Sequence, residues 1–126
     1  MTELRPLLAL SLVACSAAPP NRSPPVVDDH DPRRAALAFL DAAEAGRFES
    51  CYRLLSGRER ARYTPERLAE DFQVARASAR ERLTRARIAL ERDAVVEGDR
   101  ASFPIGRDKA VRLVREDDRW RVDSLD

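Results

Sequence analysis

The hydrophobic pattern of this chain changes its period near residue 92, and this change constrains the fold more than any other feature. Between residues 31 and 91, apolar residues recur at spacings of three and four, which predicts α-helices. After Arg92 they alternate with polar residues, as in strands that are buried on one face. Helices followed by strands predict an α+β domain, with the helices covering the apolar face of one sheet.

Two helices are predicted in the first part of this domain. Asp31 followed by Pro32 is typical of a helix start, because Asp caps the first turn and Pro suits the first helical position. This helix should end at Gly46, since glycine commonly closes a helix. A second, short helix should cover residues 48–55, with Cys51 on its inward face.

A third helix is predicted to be long. Thr64-Pro65-Glu66 repeats the start signal of a cap, a proline and an acid. One apolar stripe then supports a single helix to about Glu91, through Leu68, Phe72, Ala75, Ala79, Leu83, Ala86 and Leu90. A coiled coil is the alternative, but the stripe is thin and the repeat is short.

Four strands with tight turns should follow the helices. Their inward residues are Ala94 and Val96, then Ala101, Phe103 and Ile105, then Val111 and Leu113, then Trp120 and Val122. Turn signals separate them at Gly98-Asp99, Gly106-Arg107-Asp108 and Asp117-Asp118. Pro104 cannot donate to a ladder, so its strand should lie at an edge or be bulged there. The pattern predicts a four-stranded antiparallel meander.

Residues 1–15 have the layout of an export signal that ends in a cysteine. Residues 7–14 are apolar but shorter than the roughly 20 residues needed to cross a bilayer. They end in Leu12-Val13-Ala14-Cys15, which resembles the lipobox of bacterial lipoproteins. The resemblance implies a signal peptide at residues 1–14, cleavage before Cys15 and lipid on its sulfur. It places the protein in the bacterial cell envelope, and Ser16 favours the outer membrane, facing the periplasm. An ordinary secretory signal or a disordered start is the alternative.

The chain after Cys15 divides into a linker and one domain. Residues 15–31 contain Pro19, Pro20, Pro24 and Pro25, a composition typical of an extended tether. His30 lies in the acidic run Asp28-Asp29-His30-Asp31, but one imidazole in a flexible acidic run gives no fixed metal geometry. Residues 32–126 have room for a single domain with one core.

The domain resembles the family of nuclear-transport-factor-two-like, cystatin-like cone domains. The resemblance rests on the last hairpin, residues 111–122, and on the helical opening at residues 35–55 with "Ala-x-x-Phe-Leu-x-Ala" and "Cys-Tyr-x-Leu-Leu-Ser". It implies three helices, one of them long, packed on a curled four-stranded sheet that forms a cone. Domains of this fold bind ligands in the cone cavity and can dimerise through the sheet, and nothing in the sequence decides whether this one forms a homodimer.

The sequence offers little catalytic chemistry. Enzymes on the cone fold use an Asp, His or Tyr cluster at the cone mouth, and no such cluster is predicted here, since the only histidine is in the linker. The four glycines are too scattered for a phosphate-binding loop, so no cofactor is expected. With Cys15 carrying lipid, Cys51 should be a lone buried thiol. We therefore expect neither catalytic residues nor a metal site.

The charge balance of the chain also indicates no particular class of partner. The chain has 23 basic and 22 acidic residues, a net charge of +1, so nucleic acid is not expected to bind. Trp120 between Arg119 and Arg121 is a candidate interaction site, although an inward Trp in the core is the favoured alternative. The expected function is a non-enzymatic, protein-binding or structural envelope lipoprotein. A carrier of a small apolar ligand is the alternative, and a degenerate enzyme ranks third.

Overall fold

The computed structural model describes residues 28–126, in which five helices precede one antiparallel sheet. The helices are α1 (Pro32–Glu44), α2 (Phe48–Leu54), α3 (Gly57–Arg60), α4 (Pro65–Val74) and α5 (Arg76–Ala89). The strands are β1 (Val95–Glu97), β2 (Arg100–Ile105), β3 (Lys109–Glu116) and β4 (Arg119–Ser124). The α+β class and the antiparallel four-stranded sheet are confirmed. The expected signal peptide, Cys15 and the linker up to residue 27 lie outside the described residues.

The predicted helix starts are confirmed by their hydrogen bonds. The Asp31 carboxylate accepts from the Arg34 backbone N–H at 3.2 Å, and the Thr64 hydroxyl accepts from that of Arg67 at 3.1 Å. Each cap satisfies one of the N–H groups that a first helical turn leaves without a partner. Gly46 follows α1 with φ of +75°, a left-handed conformation that glycine adopts without steric cost.

The prediction of a single long helix from residue 65 to residue 91 is wrong. Ala75 leaves helical geometry, with φ of −116° and ψ of 46°, and separates α4 from α5. Before the break, the Phe72 ring lies 5.4 Å from the Phe48 ring of α2, measured between centroids. After it, Leu83 is buried in the main core. The bend lets the two halves of one apolar stripe pack against different partners.

The short helix α3 is a second departure from the three expected helices. Ser56, which directly follows the predicted second helix, caps α3, because its hydroxyl accepts from the Glu59 backbone N–H at 3.3 Å. Ser and Glu three positions apart form the sequence pattern of a capping box, so this start signal was present in the chain. The region between α2 and α4 therefore contains one short helix rather than a plain loop.

The sheet is a meander in the order β1-β2-β3-β4, and it is not closed, since β1 and β4 form its two edges. All three turns fall where the sequence placed them. In the last turn Asp117 and Asp118 both have positive φ, 52° and 67°, as a two-residue hairpin of the type I′ kind requires. β1 pairs only with residues 100–102, so Pro104 has a neighbouring strand on one side alone. Its missing N–H is therefore tolerated.

One core lies between the helices and the inner face of the sheet. α1 contributes Ala35, Ala36, Phe39, Leu40, Ala42 and Ala43, and α5 contributes Leu83, Ala86 and Ala89. The sheet contributes Ala101, Phe103, Val111, Leu113, Trp120 and Val122. The predicted inward residues of the last three strands are thus confirmed, Ile105 being partly buried. Val96 is the exception, because the three-residue edge strand β1 leaves it 54% exposed.

The outer edge of β4 is covered at two points by segments from the N-terminal half. The backbone N–H of Trp120 donates to the backbone carbonyl of Asp29 at 2.8 Å. The backbone N–H of Ser56 donates to the backbone carbonyl of Val122 at 2.8 Å. Leu55 and Val122 also form an isolated parallel bridge. Both contacts satisfy backbone groups that an uncovered edge would offer to another chain. Among the described residues, β1 is therefore the more open edge.

Candidate binding cleft

An open cleft of about 950 Å³ lies between helices α3, α4 and α5 and the C-terminal end of β4. Its volume lies near the upper end of the roughly 300–1,000 Å³ that ligand pockets span. Apolar side chains form much of its floor, namely Phe39, Leu55, Leu68, Phe72, Leu83, Val122 and Leu125. These residues give the cleft an apolar floor within a concave surface.

Helix α4 forms one wall of this cleft and is only lightly packed. It has no buried residue, and its apolar residues Leu68 and Phe72 are half-buried against the core. The Phe48–Phe72 pair holds α4 on α2. At the end of α4 the Val74 side chain is 85% exposed at the lip of the cleft, followed by Ala75, Ser78 and Ala79. The bend at Ala75 thus creates an apolar lip that one continuous stripe did not predict.

The rim of the cleft carries both signs of charge, and its arginines are paired. The pairs are Arg58 with Asp123 at 2.8 Å, Arg62 with Glu59 at 3.2 Å, Arg67 with Asp71 at 3.0 Å and Arg82 with Asp126 at 2.9 Å. Such partly exposed pairs contribute little stability, typically about 0–1 kcal/mol each. At the cleft these pairs place opposite charges side by side along the rim, next to the apolar floor.

The predicted site residues Trp120, Arg119 and Arg121 do not line this cleft. The Trp120 side chain is buried in the core, as the alternative held, with the Arg115 guanidinium 5.4 Å from its ring centroid. Arg119 and Arg121 both point to Asp29, at 3.2 Å and 2.8 Å. The structure therefore gathers these residues around the segment that precedes α1.

Asp29 is the one buried carboxylate in this arrangement, with 5% of its surface exposed. Burial raises its pKa, but the Arg121 hydrogen bond and the charges of Arg121 and Arg119 outweigh burial and hold the pKa below its ordinary value of 3.8. The neighbouring His30 ring nitrogen Nδ1 lies 3.1 Å from the Asp118 carbonyl oxygen. Asp29 thus packs with the domain, although the sequence assigned it to the linker.

This geometry predicts an acid-dependent contribution to stability. A carboxylate whose folded pKa is depressed stabilises the fold above its unfolded pKa, near 4, and loses that contribution as pH falls through the folded pKa. We expect Asp29→Asn to lower the free energy of unfolding by about 1–3 kcal/mol at neutral pH, and by progressively less below pH ~4. Urea unfolding across this range measures it. Asp28→Asn, at an exposed pair with Arg34, is the control and should change little; a constant Asp29→Asn deficit at every pH would contradict the prediction.

Cys51 is buried and its thiol donates weakly to the Phe39 carbonyl at 3.8 Å. Burial raises the pKa of this thiol to about 12, because the effect of burial outweighs that of the Arg47 charge, which lowers the pKa. The thiolate that nucleophilic or metal chemistry requires is therefore scarce at neutral pH. Within residues 28–126 there is also no group of three His, Cys, Asp or Glu side chains arranged to hold a metal ion.

Within the same residues, the helices are too short or too polar to span a bilayer. Comparisons of the chain with protein-family models, curated proteins and solved structures found no match. The protein is therefore defined by its own structure, as an α+β domain with an open cleft that has an apolar floor and a charge-paired rim.

Proposed function

We propose that this protein is a bacterial envelope lipoprotein, anchored through Cys15, whose domain binds a partner protein without catalysing a reaction. The cleft carries the binding part of the proposal, because it is a preformed, open, apolar surface on an otherwise charged domain. The sequence Leu12-Val13-Ala14-Cys15 supports the anchoring part. The localisation that follows is the periplasmic side of the outer membrane.

The shape of the cleft favours a protein segment as its occupant. Amphipathic helices and extended segments commonly dock by placing apolar side chains in an open groove while polar ones meet its rim. Here the floor offers Leu68, Phe72 and Leu125, and the exposed Val74 extends the apolar surface past the lip. The mixed, paired rim charges suit the polar edges of such a segment better than a strongly charged ligand.

A small-ligand carrier is the second candidate, and the cone architecture belongs to the same proposal. The volume of about 950 Å³ is large enough for a small apolar molecule. Helices on one face of an antiparallel meander agree with the layer order of cone domains, whose ligands enter at one end of the sheet. The rim acids Glu59 and Asp123 are both within 4.0 Å of Arg58, which supports binding rather than proton transfer.

Position-specific photo-crosslinking in cells tests this proposal. A photoreactive residue at position 74, on the cleft lip, should yield a discrete protein adduct, because Val74 is 85% exposed and its replacement leaves the core intact. The matched control is position 95, where Val95 is 50% exposed and lines no described cleft. An adduct of two copies of this chain at position 74 would instead support a homodimer. A small apolar molecule retained by the purified protein, with no adduct, would support the carrier. Identical adducts at both positions, or neither adduct nor ligand, would contradict binding at the cleft.

A further inference from the structure

A second groove, of about 670 Å³, lies between α1, α2 and the segment that precedes α1. Leu37, Ala38, Ala42 and Leu54 form its apolar part. Its charged residues are five arginines, Arg34, Arg47, Arg53, Arg119 and Arg121, and three aspartates, Asp28, Asp29 and Asp41. Unlike the rim of the first cleft, this lining therefore has an excess of positive charge.

The three aspartates of the groove are already engaged by arginines. Asp28 pairs with Arg34 at 3.2 Å, Asp29 pairs with Arg119 and Arg121, and Asp41 pairs at 3.0 Å with Arg87 of α5, which is not part of the lining. These ion pairs thus largely neutralise the negative charge of the aspartates. Arg119 and Arg121 share one carboxylate, so part of the positive excess stays beside Asp29, and the remaining positive charge lies at the two ends of α2.

Arg47 and Arg53 carry this remaining charge at the two ends of α2. Within residues 28–126 Arg47 forms no ion pair, and Arg53 has only Glu49, at 3.8 Å with both side chains more than half exposed. Ser50 lies between them on the groove lining and adds a hydroxyl. Exposed guanidinium groups with a nearby hydroxyl are the donors that commonly bind phosphate oxygens.

We propose that this groove binds the headgroups of anionic phospholipids, with Arg47 and Arg53 contacting lipid phosphates. The inference deepens the proposed function, since it rests on the chain being held at a membrane. Asp28 lines the groove, and the 12 residues between it and Cys15 allow a distance of at most ~45 Å, so an anchor at Cys15 would hold the groove near the membrane. Membrane apposition would then leave the first cleft available to a partner.

Vesicle co-sedimentation tests the proposal with the full chain carrying Cys15→Ser, so that no acyl anchor contributes. Phosphatidylcholine vesicles with and without phosphatidylglycerol are compared, which separates charge-dependent binding from apolar adsorption. We expect tighter binding to the anionic vesicles, weakened about tenfold or more by the double substitution Arg47→Ala and Arg53→Ala. The control is Arg76→Ala with Arg80→Ala, two exposed α5 residues outside the groove that form no ion pair in the described part of the chain.

Each double substitution removes two positive charges. Comparing the two variants therefore distinguishes binding at the groove from general attraction between a basic surface and an anionic membrane. Loss confined to the α2 pair, with circular dichroism unchanged, supports the groove. Equal loss in both pairs, or no preference of the parent chain for anionic vesicles, overturns it. Binding of inorganic phosphate that depends on Arg47 and Arg53, together with no preference of the parent chain for anionic vesicles, would assign the site to a free anion and overturn the lipid assignment. Because the test chain lacks the anchoring thiol, these outcomes are independent of whether the native protein proves to be lipidated.

Discussion

Replacing Trp120 with alanine should remove about 3–5 kcal/mol from the free energy of unfolding. The side chain is 3% exposed, and its loss would leave a large cavity between α1 and the inner face of the sheet. The substitution also removes the ring beside the Arg115 guanidinium. Since small domains are stable by only about 5–15 kcal/mol, much of the fold's stability would be lost. Urea unfolding followed by circular dichroism measures the change.

The same substitution distinguishes the two interpretations of Trp120. Ile88→Ala is the control, because Ile88 is 56% exposed on α5 and its truncation should stay within about 0.5 kcal/mol. If Trp120→Ala unfolded at the same urea concentration as the parent chain, the indole would not be a core residue. A surface hot spot would then be the better interpretation.

Changing Cys15 to serine should move the protein from the membrane fraction to the soluble fraction almost completely. Each buried methylene of an acyl chain contributes about 0.8 kcal/mol, so two or three chains make anchoring stable, and serine offers no thiol to alkylate. Cell fractionation with immunodetection measures the distribution. The expected change is all-or-none rather than graded.

Cys51→Ala provides the matched control for this experiment, because it removes the other cysteine and leaves the lipobox intact. It should remain in the membrane fraction, since Cys51 is buried and has no partner thiol among the described residues. A Cys15→Ser chain that stays in the membrane fraction would contradict anchoring through this cysteine. A parent chain that is already soluble would contradict it as well.

Local signals account for the parts of the fold that the sequence predicted well. The caps at Asp31 and Thr64, the glycine after α1 and the three hairpin turns each depend on a few adjacent residues. The alternation after Arg92 placed Phe103, Trp120 and most inward strand residues correctly, because strand periodicity is decided by which face is buried.

The break at Ala75 was not predictable from local preference. Alanine is the residue with the highest helix propensity, so neither the residue nor the stripe through it signals a bend. The break is associated with tertiary contacts, in which Phe72 packs on α2 while Leu83 enters the main core. The cleft depends on this bend. Its apolar lip at Val74 could therefore not be predicted from the sequence.

The position of Asp29 was missed for a different reason. Its partners Arg119 and Arg121 lie 90 and 92 residues away, and no periodic pattern links an acidic run to a distant strand. The sequence did indicate both arginines as part of a candidate interaction site, because they flank Trp120. The structure shows their contact with Asp29, which joins the first described residues to the last strand.

The mass of the N-terminal peptide of the native protein, extracted from envelope membranes with detergent, tests most directly whether Cys15 anchors the protein. We expect a peptide that begins at Cys15 and carries diacylglycerol on its sulfur. A peptide that begins at Cys15 or elsewhere without lipid, or one that still carries residues 1–14, would contradict it.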